Sequence, residues 1–64
     1  MTLTMEKERK ENFEVTIEYE KFGCCYARVY ERWGDEWHKI SESHPYKDEK
    51  KVKAAYRRFI KKYL

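Results

Sequence analysis

Apolar and polar side chains alternate strictly from residue 13 to residue 20. Phe13, Val15, Ile17 and Tyr19 occupy the odd positions, and glutamate or threonine occupies each even position. This period of two is typical of a strand with one buried face. Two further alternating segments follow at about 24–33 and 36–41, so the pattern predicts three strands.

The loop between the first two strands decides which face of each is buried. Residues 21–23 (KFG) predict a three-residue hairpin loop with glycine in the left-handed position. This loop pairs Ile17 with Ala27 on an apolar face. A two-residue loop would pair Ile17 with Arg28 and bury charge, because one residue of slip reverses every side chain. The three-residue loop is therefore predicted.

The second hairpin creates a face of unusual composition. Gly34 and Asp35 predict a two-residue turn that pairs Val29 with Ile40 on the core side. The opposite side then carries aromatic and basic residues that are candidate binding residues: Tyr26, Arg28, Tyr30, Arg32, Trp37 and Lys39. Exposed side chains of these two types usually have a partner.

The last segment is predicted to be an amphipathic helix. Pro45 breaks the preceding connection, and Asp48 is a suitable N-cap. Apolar residues then follow at i, i+3, i+4, i+7 and i+11, namely Val52, Ala55, Tyr56, Phe59 and Tyr63. We expect Phe59, at the centre of this stripe, to anchor the helix to the sheet.

Together these elements predict an α+β fold, with a three-stranded antiparallel β-meander packed against one C-terminal α-helix (β-β-β-α). Residues 1–12 are polar and lack a sustained apolar stripe. We therefore expect a flexible polar tail over 1–12 and a single domain over 13–64.

Length and motifs argue against catalysis. A chain of 64 residues has little room for an enclosed active site, and no catalytic signature is present. Cys24 and Cys25 are adjacent, and His38 and His44 add no recognised ligand spacing, so we expect no metal and no cofactor. The composition predicts a non-enzymatic cytoplasmic protein without a membrane span.

Charge is distributed unevenly along the chain. Residues 47–64 hold eight Lys or Arg and two acids, whereas residues 1–46 hold seven and ten. Lys50, Lys53 and Arg57 lie on the polar side of the predicted helix and are candidate phosphate contacts. The pattern therefore favours a nucleic-acid partner.

Acidic residues on the same sheet face leave an alternative open. Glu14, Glu18 and Glu20 are predicted to lie beside the arginines, and cross-strand pairs of opposite charge stabilise sheets. The face is therefore a candidate for DNA binding, for binding a protein partner as phage-encoded inhibitors of host proteins do, or for a solvated sheet surface.

The residues that carry these patterns resemble two known families. Residues 25–30 (CYARVY), Gly34 and 46–48 (YKD), leading into Val52 and 55–56, resemble the AP2-like domains, which include the arm-binding domains of phage and transposon tyrosine recombinases. That resemblance implies reading of the DNA major groove by the sheet. Residues 48–55 (DEKKVKAA) also resemble the last helix of double-stranded RNA-binding domains, which implies phosphate contacts by the lysines.

Overall fold

A computed structural model describes residues 3–20 and 23–64. Within these ranges the chain forms one antiparallel sheet of order β1-β2-β3-β4 and one helix. The bounds are β1 (Leu3–Lys10), β2 (Phe13–Tyr19), β3 (Cys25–Trp33), β4 (Glu36–Glu42) and α1 (Glu49–Tyr63). The predicted β-meander with a C-terminal helix is therefore present, but the prediction of three strands is wrong because the sheet has four.

The additional strand comes from the segment that the pattern placed in a tail. β1 pairs with β2 from Leu3 opposite Tyr19 to Lys10 opposite Phe13. All eight of its residues are exposed, so no apolar stripe marks the strand in the sequence. Backbone pairing and polar cross-strand contacts hold β1 on the sheet instead. Residues 1 and 2 of the predicted tail lie outside the described residues.

The first hairpin has the predicted register. Ile17 lies opposite Ala27 and Val15 opposite Val29, which places all four on the helix side of the sheet. Gly23 adopts a φ of 83°, the left-handed conformation expected of it. The other two residues of the predicted loop, 21 and 22, lie outside the described residues.

The second hairpin follows the predicted register only near its turn. Arg32 faces Trp37 and Tyr30 faces Lys39, as predicted. A β-bulge then shifts the ladder, so that Val29 lies opposite Ser41 and not opposite Ile40. Ile40 is consequently 37% exposed and does not join the core as predicted.

The core lies between α1 and the two central strands. Among the described residues, eight buried ones form it, five from β2 and β3 and three from the helix: Val15, Ile17, Cys25, Ala27, Val29, Val52, Ala55 and Tyr56. Asp48 caps the helix as predicted, accepting a hydrogen bond from the Lys50 backbone N–H at 2.8 Å. Phe59 packs against this core but is only partly buried, so the helix is anchored one turn earlier than expected.

Candidate functional site

The side of the sheet turned away from α1, called the outer face here, contains every sheet residue predicted to bind. It comprises Thr4, Lys7, Arg9, Glu14, Thr16, Glu18, Tyr26, Arg28, Tyr30, Arg32, Trp37, Lys39 and Glu42. The strand register brings the predicted residues together with acidic partners from β2 and β4. The properties of the face therefore depend on how these opposite charges pair.

Arg28 lies at the centre of an ion-pair cluster. Its Nη1 is 2.9 Å from Glu18 Oε1 and 3.0 Å from Glu20 Oε1, and its Nε donates to Glu42 Oε2 at 2.5 Å. The guanidinium carbon lies 4.5 Å from the centroid of the Tyr26 ring. The side chain is only 12% exposed. Burial alone would lower its pKa, but the hydrogen bonds to carboxylates outweigh burial and raise the pKa further above its ordinary value.

Glu18 is buried beneath this cluster and is fully engaged. Its Oε2 accepts hydrogen bonds from Thr16 Oγ1 at 2.7 Å and from the Tyr30 hydroxyl at 2.5 Å. Burial would raise the carboxyl pKa, yet these bonds and Arg28 together lower it below the ordinary value. Glu18 is therefore ionised and serves as the acceptor that organises the centre of the outer face.

Tyr30 should make stability depend on alkaline pH. Burial and the hydrogen bond to Glu18 raise its pKa to about 12, from an ordinary value of 10.0. A pKa raised on folding gives stability that is complete below the unfolded value and is lost as pH rises through the folded value. We expect urea denaturation to show stability falling between pH 10 and 12, and less steeply in Tyr30→Phe. Equal slopes in both proteins would contradict this assignment.

Side chains from the two edge strands, β1 and β4, contact each other across the outer face. Arg9 of β1 bonds to Glu14 Oε2 through Nε at 2.8 Å, and its guanidinium carbon lies 4.8 Å from the centroid of the Trp37 ring on β4. An open pocket of about 260 Å³ lies beside this bridge, lined by Thr4, Glu14, Thr16, Glu18, Tyr30 and Trp37. Trp37 is thus positioned as predicted on the outer face, but as a wall of this pocket.

The remaining cations of the outer face differ in how strongly they are held. Lys39 Nζ lies 3.1 Å from Glu42 Oε2. Arg32 is exposed, and in the described part of the chain its side chain makes one long hydrogen bond, 3.4 Å from Nη2 to Asn12 Oδ1. Arg32 therefore remains available for an outside partner, whereas Arg28 is committed to its carboxylates.

Helix α1 presents a different electrostatic surface. Lys50, Lys53 and Arg57, the predicted phosphate contacts, share one side of the helix with Lys61. Across residues 3–20 and 23–64, none of these four side chains has a carboxylate within ion-pair distance. The only acid in the first helical turn is Glu49. The basic row on the helix thus differs from Arg9, Arg28 and Lys39 of the sheet, which are all paired with carboxylates.

Sequence reasoning missed Arg9 and Glu42, which complete the charge pairing of the outer face. Arg9 was placed in the predicted tail, and Glu42 lies beyond the β-bulge. The alternation of Glu and Lys or Arg over residues 6–9 was the available signal, because it complements Glu14 across β1 and β2.

The remaining chemistry of the described residues is limited. In the ranges 3–20 and 23–64, no three His, Cys, Asp or Glu side chains are arranged to hold a metal ion. Cys24 and Cys25 are free thiols, and burial raises the pKa of Cys25. No helix in this part of the chain is long and apolar enough to cross a membrane. Comparison with family models, curated proteins and solved structures found no match to this chain.

Proposed function

We propose that this protein is a small non-enzymatic nucleic-acid-binding domain whose phosphate contacts are made by helix α1. The observation that carries the proposal is the row of Lys50, Lys53, Arg57 and Lys61, called the basic stripe here. Cations without carboxylate partners attract phosphates most strongly, because no existing pair has to be broken. Duplex DNA is the proposed ligand.

The geometry of the helix supports this proposal. Members of the basic stripe follow one another at i, i+3, i+7 and i+11, so they lie along one side of the helix. Its 15 residues span about 22 Å at 1.5 Å per residue, long enough to place several cations along a phosphate backbone. Val52, Ala55 and Tyr56 hold the opposite side on the sheet, which keeps the stripe directed outward.

On the outer face, fewer residues remain candidate nucleic-acid contacts than the sequence predicted. Base recognition by Arg28 would require breaking its contacts with three carboxylates, at 2.5–3.0 Å. Breaking buried ion pairs is expensive. Arg32 and Lys39 are more exposed, and they are the sheet residues that we retain as candidate DNA contacts.

The salt dependence of DNA binding tests the basic stripe. Changing Lys50, Arg57 and Lys61 together to glutamine should reduce the slope of log Kobs against log salt by about 2.7, or about 0.9 per lost phosphate contact. Glutamine has nearly the helix propensity of lysine and arginine, so the helix should persist. Fluorescence anisotropy of a labelled duplex at several salt concentrations measures the slope, and circular dichroism verifies folding.

A matched control uses the second row of cations on the same helix. Changing Lys51, Arg58 and Lys62 to glutamine removes the same residue types and the same charge, and should reduce the slope by less. Equal reductions would contradict the assignment to the basic stripe. Absence of duplex binding at low salt by the folded protein would exclude the proposed function and favour the protein-binding alternative.

A further inference from the structure

The pocket beside Arg9 has the composition of a site for a planar cation. One wall is the carboxylate of Glu14, whose side chain is only 15% exposed, and another is the half-buried ring of Trp37. Carboxylates bind guanidinium groups through charge-assisted hydrogen bonds, and tryptophan is the ring that attracts cations best. This pocket lies on the outer face, away from the basic stripe that carries the proposed function.

The Arg9 guanidinium already lies between Glu14 and Trp37, two of the residues that line this pocket. Arg9 places Nε 2.8 Å and Nη2 2.6 Å from Glu14 Oε2, and its guanidinium carbon 4.8 Å from the Trp37 ring centroid. We infer that Arg9 takes the place of an arginine side chain that belongs to a protein partner. The partner's arginine binds between Glu14 and Trp37 when the Arg9 side chain is displaced.

Arg9 is held loosely enough to be displaced. Its side chain is 54% exposed and comes from an edge strand whose residues are all exposed. An exposed ion pair is worth about 0–1 kcal/mol. The part of the pocket formed by Thr16, Glu18 and Tyr30, in contrast, is fixed, because Thr16 is 2% exposed and both Thr16 and Tyr30 donate hydrogen bonds to Glu18. This part of the pocket therefore stays formed when Arg9 leaves.

Charge and size favour an arginine side chain as the occupant. Arg28 already neutralises Glu18, so displacement of Arg9 leaves Glu14 as the uncompensated carboxylate. The volume of about 260 Å³ lies below that of pockets for drug-sized ligands and suits a single side chain. A planar guanidinium can stack on Trp37 while donating to Glu14, which a lysine ammonium does less well.

Fluorescence of Trp37 tests this inference. The chain has two tryptophans, so Trp33→Phe leaves Trp37 as the only one. In that background, Arg9→Ala should bind N-acetyl-arginine amide up to about fivefold more tightly than the parent, because an internal competitor worth up to about 1 kcal/mol is gone. The saturable change in Trp37 emission should be absent with N-acetyl-citrulline amide, which is close in shape but uncharged. Adding Glu14→Gln should abolish the gain.

Lys7→Ala is the matched control, since it removes a cation of the same strand and face that lies opposite Thr16, whereas the cation paired with Glu14 is Arg9. We expect it to leave affinity at the parental value. Equal affinity in the Arg9→Ala and parent proteins, or an equal response to the citrulline probe, would overturn the inference. If the alanine variant does not fold, Arg9→Gln provides the same comparison with a neutral side chain of greater length.

Discussion

Replacing Arg28 by methionine should lower the free energy of unfolding by about 3–5 kcal/mol at pH 7, the usual effect of removing one partner of a buried ion pair. Methionine retains the aliphatic stem but leaves Glu18, Glu20 and Glu42 without the cation that they share. A domain of 64 residues has a total stability of roughly 3–10 kcal/mol. We therefore expect the variant to be mostly unfolded or marginally folded in urea titrations.

The pH dependence of the stability of Arg28→Met distinguishes the loss of the positive charge from the loss of side-chain packing. In the wild-type protein Glu18 and Glu42 have lowered pKa values, so the stability that they contribute is complete above pH 4.5 and is lost as pH falls through the folded values. Without Arg28, burial should raise the pKa of Glu18. The variant should then gain stability as pH falls from 7 towards 5, where the wild type changes little.

Arg32→Met is the matched control for this prediction. Arg32 lies on the same strand and the same face as Arg28, but it is exposed, and within residues 3–20 and 23–64 its side chain hydrogen-bonds to Asn12 alone. Its replacement should change the free energy of unfolding by less than about 0.5 kcal/mol. Similar losses for both arginines, or parallel pH profiles for Arg28→Met and the wild type, would show that the three carboxylates do not depend on Arg28.

The parts of the fold with an apolar face could be predicted from the sequence. The register of Ile17 opposite Ala27 followed from alternation and loop length, since a slip of one residue buries charge. Periodicity also predicted the apolar stripe of the helix, and the burial of Val52 and Ala55 confirms it. Hydrophobic burial favours one arrangement strongly enough to be visible in the order of residues.

Strand β1 and the bulge of β4 could not be predicted by that reasoning. β1 buries no side chain, so its pairing with β2 depends on backbone hydrogen bonds and on contacts such as Arg9 with Glu14. The bulge places Ser41 opposite Val29 where alternation favoured Ile40. Both features depend on neighbours that are distant in sequence and produce no periodic signal.

The residues that β2 and β3 contribute to the outer face were predicted, but the pairing of their charges was not. Tyr26, Arg28 and Tyr30 lie where alternation placed them, yet Arg28 and Tyr30 are engaged by Glu18. The sequence showed that acids and arginines share the face. It could not show that one arginine collects three carboxylates, because that depends on side-chain reach across three strands.

Tyr56→Ala should cost about 3–5 kcal/mol, the range for removing a buried aromatic ring, and should exceed the effect of Phe59→Ala. Tyr56 is 8% exposed and belongs to the core, whereas Phe59 is partly buried against it. Tyr56→Phe keeps the ring and should cost less than about 1 kcal/mol. Urea denaturation of the three variants measures these differences, and a larger loss for Phe59→Ala would return the helix anchor to the position that the sequence suggested.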